Sequence, residues 1–554
     1  MTPPNGRRTI VIGLDGVPWT ALGPLMARGH MPNLAALAAR GASSTCLSPI
    51  CPMSPIAWSG IATGKNPGKH GVFDWTYRKS GTYDLEMVSS ASQRGPTMWD
   101  LVSAAGLKAG VFNVPVTYPP RPVNGFMVTC MLTPSNQVTF THPPELSPEI
   151  NELVGGYEFA TREVISPGHE RRFIDSVLAT LEKRQTALDF LLDRHAIDFG
   201  LLVYTESDTI QHKLWPPEGF GAADPAWPSS GVTEIYDRLD LAVGRLVERL
   251  GSETNILILS DHGAGEMRGV MYVNRWLMNL GYLRLKRTFT YPLKWFLART
   301  DLLVRGYWLA SRLGLGWLGR LVPKSIQHGV ATNFVSFADV DWPRTRAYSM
   351  GEFGQIYLNL KGREPLGIVE PGAEAETILA DLAARLKEIR HPATGRPLIT
   401  SIWRREEAFH GPAADQGADL LFAIDDYAYE ASVQFGIGSR DILGEAEFKD
   451  RGCHRPEGIL IAAGPDIAPA GRIADTTIMD VAPTVLHLLG LPVPQEMDGR
   501  VVREMLTGQA AARPTRSAET SVEAQPPAPQ DAPVMSADEQ RAVEERLRNL
   551  GYLD

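Results

Sequence analysis

The chain has 554 residues, 44% of them hydrophobic and 21% charged, with a formal net charge of -9. This composition excludes a wholly disordered chain, and the excess of acid over base argues against a surface that wraps nucleic-acid backbone. No stretch reaches the ~20 uninterrupted apolar residues of a membrane span, and Cys46, Cys51, Cys130 and Cys453 form no CxxC pair that would indicate a disulfide framework or a cysteine zinc site.

In chain order, the first signal is the apolar run Thr9–Leu14, ended by Asp15 and Gly16. It is too short for a signal-peptide core, so a cytoplasmic protein is expected. A helix pattern at Met31–Gly41, a Pro/Ser-rich loop and a helix-like run at Ala57–Thr63 follow. Further strands are predicted at Ala109–Val114, Phe199–Tyr204, Asn255–Ser260, Leu420–Ile424 and Gly458–Ala463. Alternating strands and helices predict an α/β fold with a mainly parallel central sheet flanked by helices, and near-continuous apolar strands predict a sheet covered on both faces.

The interval between Gly263 and Gly452 has its own strands and helices, so an inserted cap is expected: core at 1–265 and 446–507, and a cap with some core elements at 266–445. Within it, Leu283–Lys324 is both apolar and basic. It reads either as a helical lid with solvated arginines or as a surface making peripheral contact with lipid headgroups or an anionic substrate. Residues 508–535 are rich in Ala, Pro, Ser, Thr and Gln and predict a flexible linker. In 536–554, Ser536 with Glu539 forms a capping box, Val543, Leu547 and Leu550 share one face, and Gly551 supplies a stop. A C-terminal helix docked through that face is expected.

The acidic residues carry the chemical signal. Asp15 ends one strand, Asp208 follows Leu201–Tyr204 by a few residues, and Asp261 ends another. In an open parallel sheet, ligands bind beyond the carboxyl ends of the strands, so these acids are expected to converge. His212 lies four residues after Asp208, His262 follows Asp261, and His454 precedes the strand Gly458–Ala463. Three carboxylates and three imidazoles are donors that suit borderline divalent metals and suffice for two ions, the usual apparatus for displacing an oxygen at phosphorus. Ser54 sits where a loop passes into a helix-like segment, a place that favours an anion. His70 is expected to be structural and Cys453 a packed thiol.

These motifs together resemble the alkaline phosphatase superfamily, and within it the type I phosphodiesterase/nucleotide pyrophosphatase branch with its bacterial phosphohydrolase and phosphomutase relatives. The resemblance runs from Thr9 to Arg503 through Gly13-Leu-Asp15-Gly, Ser54-Pro-Ile-Ala-Trp-Ser-Gly-Ile-Ala-Thr63-Gly, Asn66-Pro-Gly-Lys-His70-Gly, Asp208-Thr-Ile-Gln-His212, Ser260-Asp261-His262-Gly and His454. It implies one metal on Asp15, Asp261 and His262, another on Asp208, His212 and His454, and Ser54 as nucleophile. Zinc, or alternatively manganese, is the metal implied. A sulfatase is excluded, because the nucleophile slot is serine, Trp58 stands where sulfatases carry arginine, and Cys51 lies outside the slot. Ala57 replaces an asparagine that holds a phosphoryl oxygen in nucleotide pyrophosphatases, which counts against nucleotide substrates. Lys65, Arg94 or a group from the cap is expected to replace that donor.

The expected activity is metal-dependent hydrolysis of a small phosphate ester, a diester in the first instance, through a phosphoseryl intermediate. Phosphomutase or phosphoryl transfer chemistry at the same site is the alternative.

Overall fold

The computed structural model describes residue 3 and residues 6–79, 81–221, 225–286, 337–436, 441–445, 450–518 and 535–553. Of the basic apolar stretch expected at 283–324, residues 287–324 lie outside the described residues, as does 519–534 of the expected linker. The remainder of that linker is partly regular: Gly508–Ala512 is helical and Ser517–Ala518 pairs with Val493–Pro494.

Among the described residues, the central sheet has ten strands. Its spatial order is Gly471–Arg472, Ala42–Leu47, Glu457–Ala463, Thr254–Leu259, Arg8–Leu14, Phe199–Tyr204, Ala109–Phe112, Gly125–Val128 and Thr141–His142, with Thr476–Thr477 also on Ala42–Leu47. Arg8–Leu14 lies at its heart, parallel to Phe199–Tyr204 on one side and to Thr254–Leu259 on the other. Glu457–Ala463 runs antiparallel to both of its neighbours.

The strands alternate as a pleat requires. Ile10, Ile12 and Leu14 enter one apolar cluster with Leu202, Tyr204, Ile256 and Ile258, whereas Val11, Leu201, Val203, Leu257 and Leu259 enter another on the opposite face. Helices such as Ser230–Leu250 cover the first face and Val481–Leu489 the second. This is the mixed α/β architecture, mainly parallel and covered on both sides, that the apolar runs predict.

The strand Leu420–Ile424 lies outside the central sheet. With Ala347–Ser349, Gln355–Leu358 and Ile399–Arg404 it forms a separate antiparallel sheet, on whose side Ala373–Glu388 buries Ile378, Leu382 and Leu386. A third apolar cluster joins this sheet to the loop before Ser54, through Cys51 and Met53, to Ile56 of the helix that follows, and to the chain's last helix.

That last helix, Ala537–Leu550, starts with the Ser536/Glu539 capping box and ends at Gly551, which is left-handed at φ 96°. Val543, Leu547, Leu550 and, beyond the helix, Tyr552 are buried. Each such side chain contributes roughly 1.5–3 kcal/mol by removal from water, so docking is a firm attachment. Arg546 adds bonds to the carbonyls of Met131, Thr133 and Pro134. Among the described residues, no helix is long and apolar enough to cross a membrane.

Candidate active site

Three neighbouring parallel strands end at the same edge of the sheet, and each delivers an acid there. Asp15 follows Leu14 directly, Asp261 lies two residues beyond Leu259, and Asp208 is in the first turn of the helix Glu206–Leu214 that starts after Tyr204. On that helix the four-residue spacing carries His212 to the same side as Asp208, with Nε2 3.4 Å from Oδ2. His454 arrives differently. It precedes an antiparallel strand, whose N-terminal end therefore lies at the ligand edge, and it is held on a short ribbon opposite Ala264.

The result is two buried trios, Asp15/Asp261/His262 and Asp208/His212/His454, each with donor atoms within 4.8 Å of one another. His262 Nε2 lies 3.5 Å from Asp15 and 3.3 Å from Asp261. His212 and His454 face each other through Nε2 at 2.8 Å, and the His454 ring stacks on His262 at 3.7 Å. Each of His262 and His454 donates its Nδ1–H to a backbone carbonyl, of Gly263 and Pro52 respectively. Those bonds fix the tautomer and leave Nε2 as a lone-pair donor directed at the site.

Charge balance favours cations here. Burial, with the nearby Asp261 and Asp208, raises Asp15 well above the carboxylate range, and burial, with Asp208, pushes Asp261 up to about 8. Burial also acts to raise Asp208, but His212 and His454 outweigh it and hold this carboxyl well below its usual value. Burial lowers His262 to about 3, so it is neutral. Asp15 Oδ1, both oxygens of Asp208 and Asp261 Oδ2 are buried without hydrogen-bond partners. Unpaired buried carboxylate oxygens are costly in an apolar interior, and their grouping with imidazoles fits a site for divalent cations.

Ser54 is the first residue of the helix Ser54–Thr63, and Pro55 follows it as a natural N-terminal helix residue. Its Oγ lies 3.3 Å from His262 Nε2, and the side chain is fully buried. One turn later, Trp58 donates its indole N–H to Asp15 Oδ2 at 3.0 Å. The sequence reading missed this role, although the four-residue spacing from Ser54 signals a shared helix face. Gly13 makes room for it: a Cβ there would meet the Trp58 ring at 2.2 Å. Gly16 is left-handed at φ 70° and donates its N–H to Asp261 Oδ1. A side chain on Gly16 would collide with Asp208 Oδ1 at 2.4 Å.

Other expected residues lie elsewhere. Lys65 is bonded to Glu496 at 2.6 Å and Arg94 is exposed over Gly71. Neither makes a hydrogen bond or ion pair to the Ser54 cluster, because the chain turns at Gly64 away from the serine end of the helix. His70, expected to be structural, is buried with Nδ1 accepting from the Val72 N–H. The Cys453 thiol packs against the carbonyls of Tyr427 and Glu266 rather than toward the imidazoles.

Residues 9–432 match the type I phosphodiesterase / nucleotide pyrophosphatase family. The match ends before His454, which completes the second trio. No curated protein sequence matches the chain. Among solved structures, human ectonucleotide pyrophosphatase / phosphodiesterase 5 is similar at 13% identity and a TM-score of 0.50, over 90% of this chain and 100% of that one. Phosphonoacetate hydrolase from Sinorhizobium meliloti 1021, solved with phosphonoacetate, is similar at 17% identity and a TM-score of 0.50, over 86% and 94%. At these identities the likeness speaks for the alkaline phosphatase-like fold alone. With the family match covering most of the chain, and with buried trios fit for metal beside a serine at a helix N-terminus, the chain belongs to the type I phosphodiesterase/nucleotide pyrophosphatase family of the alkaline phosphatase superfamily and is a phosphoric ester hydrolase.

Proposed function

We propose that the protein hydrolyses a small-molecule phosphodiester through a phosphoseryl intermediate on Ser54. In this reading Asp15, Asp261 and His262 hold one divalent cation and Asp208, His212 and His454 a second. The observation that carries it is the placement of Ser54 Oγ 3.3 Å from His262, beside buried carboxylate oxygens that have no hydrogen-bond partner. Zinc suits this mixture of imidazole and carboxylate best, with manganese as the alternative. When bound, such cations lower the pKa of a nearby hydroxyl and neutralise charge developing on phosphoryl oxygens.

The chain's own residues supply the rest. Ser54 attacks phosphorus, its Oγ–P bond forming as the bond to the leaving oxygen breaks, and water later cleaves the phosphoserine. Backbone N–H groups at the start of Ser54–Thr63 favour the anionic phosphoryl group. Trp58, Gly263 and Pro52 hold Asp15, His262 and His454 in place, so little reorganisation is needed as charge develops.

One feature favours transfer to another hydroxyl as a second reading. Ser54, Asp15, Asp208, Asp261 and His262 have no more than 0% exposure, a closed site of the kind that protects an intermediate from water.

The test compares initial rates on bis(p-nitrophenyl) phosphate and p-nitrophenyl phosphate for zinc-reconstituted wild type and Ser54→Ala. Expected is a faster diester reaction that Ser54→Ala lowers by about 1,000-fold or more, with metal content retained. A faster monoester reaction would move the assignment toward a phosphatase or mutase. Equal rates for the two proteins would remove Ser54 as nucleophile.

A further inference from the structure

The residue beyond the last helix reaches the site from the far end of the chain. At Gly551 the helix closes with N–H bonds from Gly551 and Tyr552 to the Leu547 carbonyl, a left-handed terminus that turns the next side chain inward. Gly551 is needed there for space as well as for its backbone. A Cβ would meet Asp450 at 2.9 Å, Lys213 at 3.1 Å and His212 Nδ1 at 3.3 Å.

Tyr552 is thereby buried, 1% exposed, with its ring edge-on to His212 at 5.3 Å, 5.3 Å from Trp75 and 6.3 Å from His454. Its hydroxyl faces Asp208, with Asp15 and Asp261 the other nearby acids, yet makes no hydrogen bond of good geometry. A buried phenol whose hydroxyl lacks a well-formed hydrogen bond costs free energy, and this one lies beside Asp208, Asp15 and Asp261, acids of both trios.

We propose that the Tyr552 hydroxyl donates a hydrogen bond to the phosphoryl group of the substrate, so that the C-terminal turn completes the active site. This rests on the reading of Ser54 and the two trios as a phosphoester site. A removable stopper is the competing use of the same contact. The firm docking of Val543, Leu547 and Leu550, together with the three carbonyls bound by Arg546, argues for a permanent wall. Lys65, one of the side-chain donors expected from the sequence, is engaged by Glu496.

The experiment uses the full-length, zinc-reconstituted chain as wild type, Tyr552→Phe and Ser54→Ala. Tyr552→Phe keeps the ring that packs on His212 and removes only the hydroxyl. Three quantities are measured: bound zinc, the dissociation constant of inorganic phosphate by calorimetry, and kcat and KM on bis(p-nitrophenyl) phosphate. Expected for Tyr552→Phe are unchanged zinc, phosphate affinity weakened about tenfold, and kcat lowered roughly 100-fold, the size of effect seen when an oxyanion donor is lost. Unchanged phosphate affinity and kcat overturn the proposal, as does a loss of zinc, which would make Tyr552 a support of the metal trio. Faster turnover also overturns it and identifies a stopper. If wild type turns over no diester, the phosphodiesterase reading fails, and the phosphate affinities of wild type and Tyr552→Phe still decide the role of the hydroxyl.

Discussion

The indole N–H of Trp58 donates to Asp15 Oδ2 at 3.0 Å and so ties the helix that begins with Ser54 to the carboxylate that ends the central strand. Nucleophile and acid are thus held in one frame, although they approach from different parts of the sheet. Hydrogen bonds to a charged group contribute about 1.5–3 kcal/mol, and supports behind a metal ligand govern its affinity about 10- to 100-fold. Trp58→Phe is expected to weaken zinc binding by about tenfold or more while the chain stays folded. Chelator competition monitored alongside circular dichroism checks this, and unaltered affinity would reduce Trp58 to packing.

A second prediction concerns the start of the helix that carries Asp208 and His212. Arg184 bonds Glu206 Oε1 and Thr205 Oγ1, both at 2.8 Å, and both charged side chains are almost fully buried. Removing one partner of such a pair leaves the other charge stranded at a cost of about 3–5 kcal/mol. Arg184→Met should lower stability by that amount in urea unfolding, and adding Glu206→Gln should recover part of it. Additive losses in the double variant would contradict the pairing.

Cation uptake should depend on pH with a defined sign. Without a bound cation, Asp261 is pushed up to about 8 by burial and by Asp208, and Asp15 is raised with it. At pH 6.5 a cation must therefore displace at least one proton, and affinity should climb as pH rises through about 8. His262, held down to about 3, is already neutral and adds nothing to this slope. Calorimetry in buffers of different ionisation heat reads the released protons directly. The same shift fixes the stability of the metal-free protein. A carboxyl raised above its unfolded value gives stability that is complete below the usual carboxylate range and is lost as pH rises through about 8. Melting temperature without metal should accordingly fall between pH 7 and 8, above the range in which the depressed His262 and His70 act in the opposite sense, and a rise there would contradict the assignment.

Much of the site was legible in the sequence because its signals are local. Apolar runs such as Thr9–Leu14 and Phe199–Tyr204 mark buried strands, and the acids after them fall at the ligand edge of any parallel sheet. The four-residue step from Asp208 to His212 states its own geometry once the segment is helical. The capping box at Ser536 and the stop at Gly551 likewise involve only nearby backbone.

The tertiary structure decided what depends on direction and on contacts between distant segments. A strand's side-chain period of two reads the same in parallel and antiparallel pairing, so the run that follows His454 could not reveal that it is antiparallel and thereby delivers that histidine to the edge where the acids lie. Lys65 was expected, with Arg94 or a group from the cap, to replace the donor missing at Ala57, but past the turn at Gly64 its amine bonds Glu496. Leu420–Ile424 had the apolar character of a central strand, and only its pairing with Gln355–Leu358 and Ile399–Arg404 placed it in a separate sheet. Tyr552 had no chemical motif around it. Its place against His212 follows from where an amphipathic helix found an apolar surface built from residues hundreds of positions earlier, and such surfaces are made by the fold.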